Sequence, residues 1–97
     1  MKPVKFHLQA ECELAESVDF YNDRVPGLGD DFFVAVKLAG RQIQADPVRR
    51  PLRRDGTRQI RMQRFPYAIV YRDQPERIEI VAVAHGARRP GYWRKRL

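Results

Sequence analysis

At 97 residues, 43% of them hydrophobic, the chain is sized for one folded domain over residues 1–97, with a core but no elaborate internal cavity. Its single cysteine, Cys12, excludes a disulfide framework and a cysteine-rich zinc site. The net charge of +7 is unevenly spread: residues 1–40 hold four basic and seven acidic side chains, net −3, and residues 41–97 hold fifteen and five, net +10. Fourteen of those fifteen cations are arginine, which favours planar bidentate contacts to phosphate or carboxylate. Charge this one-sided suits a large anionic partner. No apolar run approaches the ~20 residues of a membrane span. Met1-Lys2-Pro3-Val4-Lys5 is followed by no apolar stretch, so no secretory signal is expected and a cytoplasmic setting is the default.

Val4 to Leu8 alternates apolar and polar residues and predicts a first strand. A helix should follow from about Gln9 to Val25, with Ala10, Leu14, Val18, Tyr21 and Val25 on one face and Glu11, Glu13, Glu16, Asp19 and Asp23 largely elsewhere. Val25-Pro26-Gly27 stops it. A second helix is expected over 28–45, its apolar stripe made of Leu28, Phe32, Val36, Ala39 and Ile43. So short a connection implies an antiparallel helical hairpin.

Residues 48–57 read as a basic loop. Three strands are then predicted, over 58–64, 67–72 and 77–84. The last is apolar on both faces through its middle and reads as a central strand. The tail beyond it is short, aromatic and basic. The fold class is therefore α+β, in the order β-α-α-β-β-β, with the hairpin packed on an antiparallel sheet.

The residue inventory leaves little room for metal or cofactor chemistry. His7 and His85 have no ligand-spaced companions. Gly27-Leu28-Gly29 opens a helix, but it lacks a third glycine, and Asp30-Asp31 would repel a phosphate there. Ser17 lies mid-helix and is the only serine. What remains is metal-free phosphodiester chemistry or pure binding. For the former, His85 and Tyr92 are the candidate proton carriers, among Arg61, Arg64, Arg88 and Arg89. Tyr92-Trp93 beside Arg94-Lys95-Arg96 either stacks on a partner or pins the C-terminus to the core.

Three segments occur together in order: Pro26-Gly27-Leu28-Gly29, then Phe65-Pro66-Tyr67-Ala68-Ile69-Val70-Tyr71, then Val81-Ala82-Val83-Ala84-His85-Gly86-Ala87-Arg88-Arg89-Pro90 with Tyr92-Trp93 after it. In this the chain resembles the RelE/ParE superfamily of type II toxin-antitoxin toxins over essentially its whole length. The resemblance implies a helical hairpin against an antiparallel sheet, no cofactor, and a cognate antitoxin with an acidic, partly disordered C-terminal segment that forms a hetero-oligomer with it. It also implies one of two targets. RelE-like members cleave messenger RNA on the ribosome; here Arg61 and Arg64 would hold phosphates and His85 or Tyr92 would move protons. ParE-like members, often linked to plasmid stabilization, inhibit growth by binding DNA gyrase. The RelE-type arginine after the tyrosine is Ala68 here, and the place of a RelE-type lysine is Gln59. The His85-to-Pro90 ending looks ParE-like. The resemblance therefore leans to the ParE-like branch, with Arg58, Arg61, Arg64, Arg88, Arg89, Tyr92, Trp93 and Arg94 as the expected target contacts. A weakly toxic protein that mainly binds its antitoxin is a third reading.

Overall fold

The computed structural model describes all 97 residues. In chain order the elements are β1 (Val4–Phe6), α1 (Leu8–Arg24), α2 (Leu28–Ala45), β2 (Arg58–Arg61), β3 (Tyr67–Asp73), β4 (Ile78–His85) and a C-terminal 3-10 helix (Tyr92–Arg96). The four strands form one sheet in the order β1-β4-β3-β2.

The sheet is mixed rather than wholly antiparallel. β2, β3 and β4 form the expected meander, but β1 pairs with β4 in parallel, Val4 opposite Ile78 and Phe6 opposite Ile80. The reason is topological. The two helices of the hairpin carry the chain back across the sheet, so the meander that follows ends with its last strand running alongside the first. β4 then lies between β1 and β3, as its apolar character on both faces requires. β2 stops at Arg61 instead of reaching Arg64. After Met62, whose N–H donates to the Tyr67 carbonyl, the chain bends and turns Phe65 into the core.

The hairpin covers one sheet face. Ala10 and Leu14 from α1, and Phe32, Val36, Ala39 and Ile43 from α2, pack on Ile60, Tyr67, Ile69, Tyr71, Ile78, Ile80 and Val83. Val25, placed on the apolar face of α1 by periodicity, is exposed because α1 ends one residue earlier. Opposite Val70 and Tyr71 the β4 register jumps from Ala82 to Ile80, so Val81 is an extra, bulged residue. The bulge resets the alternation. Ile78, Ile80 and Val83 face the helices, while Val81, Ala82 and Ala84 face the other side with Val70.

The helix-to-helix turn depends on two glycines. Gly27 adopts φ +89°, a left-handed conformation that a Cβ disfavours, and it provides no side-chain cap for α2. The cap comes instead from α1: Asn22 Oδ1 accepts the Gly29 N–H at 2.7 Å. Gly29 itself lies so close to α1 that a Cβ there would come within 2.1 Å of the Val18 carbonyl oxygen. Gly29→Ala should therefore splay the hairpin and lower stability by about 2–3 kcal/mol. Asn22→Ala, which removes the cap and an exposed 3.3 Å hydrogen bond from the Asn22 amide to Asp30, should cost about 1 kcal/mol. Urea unfolding of both variants checks this, and an unchanged midpoint for Gly29→Ala would contradict the close approach.

Candidate functional site

The sheet face away from the helices is only partly covered. The C-terminal 3-10 helix lies over part of it, where Trp93 packs with Val70, Val81, Ala82 and Ala84. Beside that helix, toward β2, is a cleft of about 440 Å³. Its floor includes the small residues Ala68, Ala84 and Gly86, and Arg53, Gln59, Arg61, His85 and Arg88 stand around it. Alternation along β2 explains the arginine supply. Ile60 points into the hydrophobic core, so Gln59 and Arg61 point into the cleft. Arg53 and Arg61 are exposed and make no ion pair.

The segment bounding the cleft is held by a carboxylate that the sequence reading left on the solvent side of α1. β1 pairs with β4 only as far as Ile80, where the His7 N–H donates to the Ile80 carbonyl at 2.8 Å. Beyond that point Glu13 of α1 occupies the open edge. Its Oε1 accepts the Val83 N–H at 3.0 Å and its Oε2 accepts the Tyr92 hydroxyl at 2.7 Å. The Arg96 guanidinium donates to both oxygens, at 2.9 and 2.8 Å, and also to the Val81 carbonyl at 2.9 Å. Burial opposes the Glu13 charge, but the donors from Arg96, Tyr92 and Val83 outweigh it and hold the carboxyl below its ordinary value. A second carboxylate completes the anchorage. Asp55 accepts from the Thr57 hydroxyl at 2.6 Å and from the Trp93 indole N–H at 3.3 Å. Its carboxyl is likewise depressed, these donors outweighing the effect of burial.

The expected contact residues divide accordingly. Arg61 and Arg88 line the cleft, and Arg89 is exposed beside it with no carboxylate partner. Arg88 lies over the Tyr92 ring, 3.9 Å from its centre, at the margin of the Glu13 cluster. Arg94 is exposed but reaches toward Asp55 at 3.6 Å. Three residues are placed differently. Arg58 faces the loop after α2 and donates to the Val48 and Arg50 carbonyls at 3.2 and 2.7 Å. Arg64, beyond the shortened β2, pairs with Asp31 of α2 at 3.1 Å. Trp93 is buried and serves as packing under the 3-10 helix, so it has little surface to give a partner. Arg53 was not singled out by sequence; the Asp55-Gly56 turn brings it to the cleft, its N–H bonding the Thr57 carbonyl at 2.8 Å.

A family model described as "ParE toxin of type II toxin-antitoxin system, parDE" matches residues 4–90. The chain belongs to the ParE toxin family. No curated protein sequence matches it. Among solved structures, the "Chromosomal ParDE TA system from P. aeruginosa" is similar with a TM-score of 0.77 and 19% identity, covering 88% of this chain and 96% of that one. At that identity the similarity concerns the fold. A ParE-type hairpin on a four-stranded sheet is therefore the scaffold that carries the cleft.

The cleft of this ParE-family chain is cationic but poorly equipped to move protons. The Ala87 N–H donates to His85 Nδ1 at 2.9 Å, so the neutral imidazole carries its proton on Nε2 and presents a donor rather than a base. The Tyr92 hydroxyl is committed to Glu13, and burial together with that carboxylate pushes it far above the ordinary phenol range. Ala68 contributes no cation to the floor.

The Glu13 cluster makes a pH prediction. Because its folded pKa is depressed, its contribution is present above about pH 4.5, the ordinary carboxyl value, and fades as the pH falls toward the folded pKa. Glu13→Gln should destabilise the protein by about 3 kcal/mol near neutrality by leaving Arg96 without its counter-charge. Thermal unfolding from pH 7 to pH 3 should show the wild-type and variant curves converging in acid; a constant gap would mean that the charge is not what holds the segment.

Proposed function

We propose that this ParE-family toxin arrests growth by binding DNA gyrase in the cytoplasm, and that a cognate acidic antitoxin neutralises it in a hetero-oligomer, as in plasmid stabilization modules. The observation that carries the target reading is the cleft. It gathers the uncompensated guanidinium groups of Arg53 and Arg61, while of the two candidate proton carriers His85 has its Nδ1 lone pair occupied by the Ala87 N–H and Tyr92, outside the cleft, donates its hydroxyl to Glu13. A surface of that composition favours holding a partner over cleaving one. Purified protein should inhibit gyrase supercoiling, and its expression should cause filamentation with a DNA-damage response. Arrest with intact supercoiling and cleavage of translated messages would overturn the gyrase reading in favour of the ribosome. Absence of arrest would favour a protein that mainly binds its antitoxin.

The antitoxin reading is supported by the opposite side of the molecule. On its outer surface α2 exposes Phe33 on one side and Val34 and Leu38 on the other, with Lys37 and Arg41 running between them and without ion-pair partners. An amphipathic acidic segment fits such a face by helix-in-groove docking. The outer edge of β1, which bounds a groove with Lys37, Gly40 and Arg41, is open to strand addition. Leu38→Asp should weaken binding of the antitoxin encoded beside this toxin by about tenfold or more, because it puts a charge in the middle of the apolar contact. Toxicity itself should be unchanged. Titration calorimetry and co-expression rescue check this; full rescue of Leu38→Asp would place the antitoxin elsewhere.

A further inference from the structure

We propose that the cleft on the open sheet face binds the phosphodiester backbone of nucleic acid, so that the protein grips a polynucleotide directly. This holds or fails independently of whether gyrase is the protein target.

Four features converge on a phosphate ligand. The first is uncompensated charge. Arg53 and Arg61 lie on the cleft with no carboxylate within ion-pair distance, and Arg88 adds a third guanidinium, 3.9 Å from Glu13 and therefore only partly neutralised. Arginine forks of this kind accept two phosphate oxygens at once. The second is the proton on His85. With Nδ1 occupied by the Ala87 N–H, the ring offers its Nε2–H donor, which suits a phosphate oxygen. The third is access. Ala68, Ala84 and Gly86 leave the floor shallow in side-chain bulk, so a charged backbone can settle among the arginines rather than above them. The fourth is the surrounding field. Arg54 and Arg89, next in sequence to the lining residues Arg53 and Arg88, are also exposed and unpaired, within the half that carries net +10.

The same face disfavours the obvious competitor, an acidic peptide in extended form. β3 and β4 below the cleft are hydrogen-bonded to each other along their length, and β3 is paired on its other side by β2. The floor itself therefore offers no free strand edge to which a peptide could add; the outer edge of β2, at the cleft's border, is the one place left for strand addition, and the polyglutamate probe below tests it. The ligand is also read by its backbone rather than its bases. Phe65, Tyr67 and Trp93 border the cleft but are all buried, so no exposed ring waits to stack on a base. Binding should then be tolerant of sequence and steeply dependent on salt.

The test is fluorescence anisotropy with the full-length protein and four labelled probes: a 20-nucleotide single-stranded DNA, a 20-base-pair duplex, a 20-nucleotide RNA and a 20-residue polyglutamate. With three cleft arginines engaged, the logarithm of affinity should fall against the logarithm of salt with a slope of about −2 on single strands and about −2.7 on duplex. Arg61→Ala and Arg53→Ala should each reduce the magnitude of that slope by about 0.7–0.9 and weaken binding severalfold at 100 mM salt. Arg77→Ala, an exposed cation in the β3–β4 turn, should change the slope by less because it lies outside the cleft. Circular dichroism of each variant separates lost binding from lost folding. Preference for duplex identifies DNA as the source of the phosphates, and preference for the RNA identifies a transcript; either upholds the cleft. Polyglutamate binding as tightly as the nucleic acids, or Arg53→Ala and Arg61→Ala behaving like Arg77→Ala, overturns it. Cleft-dependent nucleic-acid binding alongside unaffected gyrase would remove the gyrase reading and leave this one standing.

Discussion

A carboxylate from the first helix passes around the edge of the sheet and fastens the last turn of the chain. Glu13 can do this only because β1 is three residues long. The parallel pairing ends at Ile80, and the β4 edge beyond it would otherwise expose the Val83 N–H and the Val81 carbonyl. Glu13 takes the first and Arg96 takes the second, while the two side chains pair with each other. Tyr92 closes the set. An exposed strand edge is a liability for aggregation, and here it is protected by a half-buried ion pair rather than by another strand. The same contacts fix where the 3-10 helix lies, and therefore where Trp93 packs and where the cleft begins.

The bulge at Val81 is the backbone counterpart of that clamp. Without it, strict alternation along β4 would put Val81 and Val83 on the same side. With it, Val83 joins the core under the hairpin while Val81, Ala82 and Ala84 make a second, smaller apolar patch for Trp93. Each sheet face thus has its own cover. The helical hairpin covers one completely. A single tryptophan covers the middle of the other and leaves the end near β2 open, floored by alanine and rimmed by arginine.

The hydrophobic periodicity carried the fold far. The second helix is predicted with the bounds it has, and the buried side chains of its stripe are those of the 3.6-residue repeat. The central position of β4 follows from its doubly apolar middle. The parallel partner of β4 was not legible, because local alternation says that Val4 to Phe6 is extended and nothing about which strand it meets. Glu13 was not legible either. On a helical wheel it is one of five acidic residues off the apolar face, and its burial depends on a partner N–H, that of Val83, seventy residues later in the chain. For the arginines, sequence located the charge but not its direction. Arg58 and Arg61 are three residues apart in one strand and point to opposite faces, one bracing a loop and the other open to the cleft.

The charge split along the chain acquires a spatial form in the fold. The acidic helix α1 supplies the carboxylate that takes up Arg96 and part of Arg88, while Asp55 of the basic half faces Arg94. What remains free is a smaller group, Arg53, Arg61 and their neighbours, on the sheet face, with Lys37 and Arg41 on the helical face. These two sets lie on opposite layers of a molecule only 23 Å across its shortest axis. At physiological ionic strength the Debye length is about 8 Å, so charges on one layer act only weakly on a partner bound to the other. An antitoxin segment seated on α2 would therefore not discharge the cleft through the protein. On the reading proposed above, neutralisation requires a segment long enough to continue around the β1 edge or the C-terminal helix, and the open groove beside Gly40 provides one such path.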